Sequence, residues 1–142
     1  MTYQFDGYNY FVKLEKGEKL VSSLTQLVKD EQIAGAWLSG LGAALSVELG
    51  YYDLDTQEYL WKHLDETLEI TALTGNIAWS EDKPAIHVHG SFSDRDMNGY
   101  GGHVKELVVG GTCELFLHLK QGSDKLKRKT DPDTGLNLLD IA

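Results

Sequence analysis

The chain has 142 residues, a formal net charge of −9 at pH 7 and 42% apolar side chains. That is the length of one domain with material for one hydrophobic core, and the apolar content excludes a disordered chain. The acidic balance argues against extensive contact with nucleic-acid phosphates or an anionic membrane, which need clustered Lys and Arg, and the single cysteine excludes an internal disulfide.

Tyr8, Tyr10, Val12 and Leu14 alternate with Asn9, Phe11 and Lys13 and predict a first strand, ended by a turn at Gly17. From Glu18 to about Glu31, the residues Leu20, Val21, Leu24, Leu27 and Val28 fall on one face of an amphipathic helix. Glu18 suits the positive end of its dipole. Ile33 to Leu38 is continuously apolar and predicts a buried strand. Ser39 to Ala44 carries Gly40 and Gly42 but lacks the third glycine of a dinucleotide fingerprint, so it reads as a turn or bulge.

Strands are expected over Val47–Tyr52 and Glu58–His63, with His63 at the surface. A long β-branched strand follows over Thr67–Ile77, with Gly75 as a bulge. Ser80 to Pro84 reads as a turn. Thr112 to Lys120 sends Cys113, Leu115, Leu117 and Leu119 inward, and His118 reads as structural. Residues 121–142 read as a polar tail in which Lys125, Lys127, Arg128 and Lys129 form a solvated basic run.

The stretch from Pro84 to His103 carries the chemistry. Ile86, Val88 and Phe92 alternate with His87, His89 and Ser91, so the two imidazoles leave one face of a strand about 6–7 Å apart. Asn98, Gly99, Gly101 and Gly102 read as a turn that delivers His103. Three neutral imidazoles with an open fourth position form a known zinc arrangement. His87, His89 and His103 are therefore the candidate ligands of one divalent transition metal, zinc foremost. The plainer alternative is three solvated polar side chains.

Taken together, the pattern predicts an α+β fold: a mainly antiparallel β-sheet with one main amphipathic helix, in a single domain over residues 8–120. One helix cannot cover both faces of such a sheet. An exposed face rich in aromatics (Trp37, Tyr51, Trp61 and Trp79) would favour self-association. The N-terminal residues show no basic region followed by an apolar run, and no stretch reaches the ~20 apolar residues of a membrane span, so a cytoplasmic protein is expected.

The order of motifs, from the Gly17-Glu18 helix start through Gly40-x-Gly42-Ala43, Leu68-Glu69-Ile70, Leu73-Thr74-Gly75, His87-x-His89 and Gly101-Gly102-His103 to the strand holding Glu114, resembles the PPC domain of plants and prokaryotes. The resemblance spans roughly Tyr8 to Lys120, and the histidines resemble its prokaryotic branch. It implies an α/β fold and a homotrimer. Bacterial members are often labelled DNA-binding because plant relatives carry an AT-hook. No Arg-Gly-Arg-Pro core stands in this sequence. The plant partner-binding stretch Gly-Arg-Phe-Glu-Ile-Leu is replaced by Glu66 to Thr71, keeping only Glu69 and Ile70. The plant branch also lacks the three histidines.

Three functions follow as expectations. The first is a homotrimeric binding or regulatory module with a three-histidine metal site. The second is a metal-dependent enzyme that draws a general base from Glu69, Glu114 or Asp94. The third is a DNA-binding regulator, which the charge disfavours.

Overall fold

Two strands run much further than their sequence pattern predicts. In the computed structural model, which describes residues 1–141, β3 spans Ala36–Asp53 and β7 spans Gly99–Leu119. They pair antiparallel from Ala36 opposite Leu119 to Gly50 opposite His103. The other strands are β1 (Thr2–Phe5), β2 (Asn9–Glu15), β4 (Glu58–Leu64), β5 (Leu68–Ser80), β6 (Lys83–Ser93), β8 (Lys127–Thr130) and β9 (Asn137–Asp140), with one helix, α1, over Leu20–Asp30.

The ladders close a ring: β3 pairs β5, β5 pairs β6, β6 pairs β7, and β7 returns to β3, all antiparallel. β2 and then β1 extend the sheet beyond β7, and β4 pairs the second half of β3. Strands this long must bend to close, and register shifts at Gly40/Gly42 and Gly42/Ala44 supply the bend. Gly42 has φ +150, and a Cβ there would lie 2.1 Å from the Thr112 carbonyl oxygen, so only glycine fits this approach. Of the turn or bulge expected between strands at Gly40–Gly42, the structure has a bulge, inside one continuous strand. The bulge expected at Gly75 is instead between Ile70 and Ala72.

Inward-facing Leu14, Leu38, Leu73, Val88, Phe92, Leu107 and Leu117 fill the interior with the helix residues Leu20, Leu24, Leu27 and Val28. Burying those four helix side chains contributes about 1.5–3 kcal/mol each before entropy is counted. The helix start is capped across the fold. Lys19 at the N-cap makes no side-chain cap. Instead Glu106 on β7 accepts the Val21 amide at 2.7 Å, the Ser22 amide at 3.1 Å and the Ser22 hydroxyl at 2.7 Å. Glu18, expected at this dipole, faces elsewhere: it pairs with the N-terminal ammonium and accepts the Glu15 amide.

Three further expectations are corrected. The turn before His103 is Asp94–Asn98, closed by Asp94 accepting the Asp96 and Asn98 amides at 2.9 Å, while Gly99 to Gly102 lie in β7 opposite Ser93 to Gly90. Trp79 is buried, not exposed, and its indole N–H donates to the Ile33 carbonyl at 2.9 Å. The polar segment after Gln121 contains the β8–β9 hairpin, docked beside β5 where the Trp79 amide donates to the Leu126 carbonyl at 2.7 Å, while the Leu126 amide donates to the Ala34 carbonyl at 2.8 Å.

Candidate metal centre

β6 carries His87 and His89 on its outer face because Val88 between them is fully buried. The β6–β7 register puts His103 directly opposite His89. Ring centroids are 5.1 Å apart for His87–His89, 5.2 Å for His87–His103 and 5.5 Å for His89–His103. One ligand-capable nitrogen from each of the three lies within 4.8 Å of the others. Gly75 on β5 makes room from behind, since a Cβ there would stand 2.1 Å from the His87 carbonyl oxygen.

Two of the three imidazoles are held in the unprotonated form. Burial pushes the His87 imidazole down to about 4, helped by the Arg128 cation and the neighbouring imidazoles. Burial also lowers His103, with His89 and Arg128 contributing. Both rings are therefore neutral near pH 7, the form that ligates. The Nδ1 of His103 is buried and has no hydrogen-bond partner among the protein atoms. A donor set of three imidazoles, one with an unmet buried nitrogen, fits a divalent transition metal.

Arg128, on β8, also lines the site. Its Nη2 donates to the Asn76 side-chain oxygen at 2.7 Å and to His87 Nδ1 at 3.0 Å, and its Nη1 donates to the Asn137 carbonyl. Its only sequence signal was a place in a basic run. Tyr59 on β4 completes the wall, its ring 5.2 Å from His103. These residues line a cleft of about 740 Å³, together with Tyr51, Tyr52, Gln57, Ile86 and residues Gly135 to Leu138.

The carboxylates considered as general bases lie elsewhere. Glu69 stands opposite Ser93 and Ala43, Glu114 lines a separate groove near Lys13, and Asp94 is committed to its own turn. His118 stands beside Asn9, bonded to its side-chain oxygen at 2.8 Å.

A closed antiparallel sheet with one packed helix and a triple-histidine cluster defines the class. The chain belongs to the Plants and Prokaryotes Conserved (PCC) domain family, whose model matches residues 1–119. It is similar to the metal-containing protein AF0104 from Archaeoglobus fulgidus, at 33% identity and TM-score 0.88, covering 99% of each chain. It is also similar to a plant- and prokaryote-conserved (PPC) protein from Pyrococcus horikoshii, at 28% identity and TM-score 0.87, covering 99% of this chain and 96% of that one. A protein from Ralstonia eutropha, described as a "putative DNA-binding protein", matches at 33% identity and TM-score 0.92, covering 99% of this chain and 96% of that one. No curated protein matches the chain.

Proposed function

We propose that this chain is a homotrimeric binding or regulatory module in which His87, His89 and His103 hold one zinc ion. The observation that carries the reading is the convergence of three ligand nitrogens within 4.8 Å on two paired strands. The similarity to a metal-containing archaeal protein supports it. Bound there, zinc would supply a Lewis acid able to polarise an oxygen ligand at an open coordination position.

The metal-dependent enzyme is the second reading. The cleft favours it, because a reacting molecule would have a walled site of about 740 Å³. Its weakness is the base: among the described residues no Asp or Glu lines that cleft. Tyr59 is the phenol nearest His103 in that lining, and burial raises its pKa above the ordinary phenol value.

DNA binding is disfavoured by the net charge of −9. No helix among the described residues is long and apolar enough to cross a membrane. The one buried cysteine, Cys113, suits a reducing cytoplasm. The direct test of the metal reading is elemental analysis of protein purified without a histidine tag. About one zinc per chain is expected, and a metal-free protein that takes up none on dialysis against zinc would refute it.

A further inference from the structure

Arg128 and His87 share a hydrogen bond that a metal ion must break. A neutral imidazole has one lone-pair nitrogen and one N–H. In the structure His87 Nδ1 accepts from the Arg128 guanidinium at 3.0 Å, so its proton sits on Nε2. If Nδ1 ligates a metal, the lone pair is used and the guanidinium loses its acceptor. If Nε2 ligates, the proton must move to Nδ1, which then cannot accept. Either way, metal at His87 releases one N–H donor of Arg128 inside the cleft.

The released donor belongs to a cation with no counter-charge among the described residues. Arg128 forms no ion pair among the described residues, and its Nε is buried without a partner. No carboxylate of the described residues lines the cleft, although the chain as a whole is acidic. With a divalent ion on the histidines, the described residues would bring three positive charges to the cleft and no negative one. A planar guanidinium matches a carboxylate or a phosphate through paired N–H donors. The rest of the wall decides between them. Tyr51, Tyr59, Ile86, Leu136 and Leu138 offer apolar surface to an organic tail and few further donors for a dianion.

Resting on the metal reading above, we infer that the metal-loaded cleft binds a small organic carboxylate with an apolar tail, its carboxylate held by Arg128 beside the metal. Carboxylate oxygens suit the open position on zinc, and the Asn137 carbonyl on β9 and the Asn76 side chain on β5 position the guanidinium.

The test uses benzoate as the probe and titration calorimetry on zinc-loaded full-length protein, with zinc content measured in every sample. Benzoate should bind zinc-loaded wild type and bind metal-free protein far more weakly. Arg128→Met should keep its zinc yet bind benzoate about 10- to 100-fold more weakly, the loss of one charge-assisted contact. Arg128→Lys should recover part of the affinity. Inorganic phosphate should compete poorly. Zinc uptake without benzoate binding, equal benzoate affinity in Arg128→Met, or phosphate preferred over benzoate would each overturn this inference while leaving the metal site standing. Failure of wild type to take up zinc would overturn both. Thermal melts of the variants, matched to wild type, separate a lost contact from a lost fold.

Discussion

His89 and His103 stand directly across the β6–β7 ladder, with ring centroids 5.5 Å apart. They are fourteen positions apart in sequence, yet neither can leave the other without breaking the ladder between Gly90 and Gly102. The site is thus built on paired backbone, which holds ligands more firmly than a loop does.

His103→Ala should weaken zinc binding by more than about 100-fold, since losing a partner one shell further out already costs about 10–100-fold. His87→Ala with His89→Ala should abolish uptake while Val88 and Phe92 stay packed. Competition with a chromophoric chelator reads both, and circular dichroism checks the fold. Unchanged stoichiometry in the folded double variant would return the histidines to ordinary polar residues.

The alternation of His87 and His89 against Val88 was legible because a strand face repeats every second residue. Gly99 to Gly102 were not: glycines read locally as a turn, and only the closed ring shows that β6 and β7 need a strand there. Gly40 and Gly42 show the same ambiguity, since a glycine that permits close approach looks like one that permits a turn. Arg128 was illegible for another reason. Its neighbours are polar, and no local pattern tells that residues 127–140 return to β5. Glu106 reaches the helix start 84 and 85 positions away, which spacing rules for caps cannot see.

The His87 shift sets a pH dependence. In the unfolded chain imidazole titrates near 6.5, but in the fold His87 accepts a proton only at about 4. Between those values the unfolded state binds more protons. Stability of the metal-free protein is therefore fully present above about 6.5 and declines as pH falls towards about 4. His103, also lowered, acts in the same direction. Urea midpoints measured from pH 7 to pH 5 should fall, and His87→Ala should flatten the slope. A slope unchanged by His87→Ala would show that this ring is not the cause.

Glu106→Ala should cost about 1 kcal/mol, the usual loss of a helix N-cap, because the Val21 and Ser22 amides lose their acceptor. Glu106→Gln should cost less, keeping one oxygen but no charge for the dipole. Chemical denaturation at pH 7 decides it. A variant as stable as wild type would mean that water replaces the carboxylate at no cost.

No specific DNA binding is expected at physiological salt. With a net charge of −9, phosphate contacts cannot supply the electrostatic part of affinity. Electrophoretic mobility shifts against random duplex pools give the test. Submicromolar, salt-sensitive binding to one defined sequence would contradict the expectation.

The outer face of the sheet opposite the core should join subunits. Phe11 on β2 and Phe116 on β7 are in register and pack edge to face at 5.2 Å, and both are exposed. Trp37 and Leu41, exposed on β3, extend the same apolar area, and Phe11, Leu41 and Phe116 line one groove. Single exposed apolar residues are ordinary, but a contiguous group of this kind marks an interface. With the family resemblance implying three subunits, light scattering should give a mass three times 15.8 kDa. Phe116→Asp places a charge in the centre of the patch and should shift that mass towards a single chain, with the metal site intact because His103 lies at the other end of β7. A wild-type species of 15.8 kDa at micromolar concentration would rule out the trimer. A Phe116→Asp protein still three times that mass would move the interface to the Tyr51, Leu60 and Trp61 face.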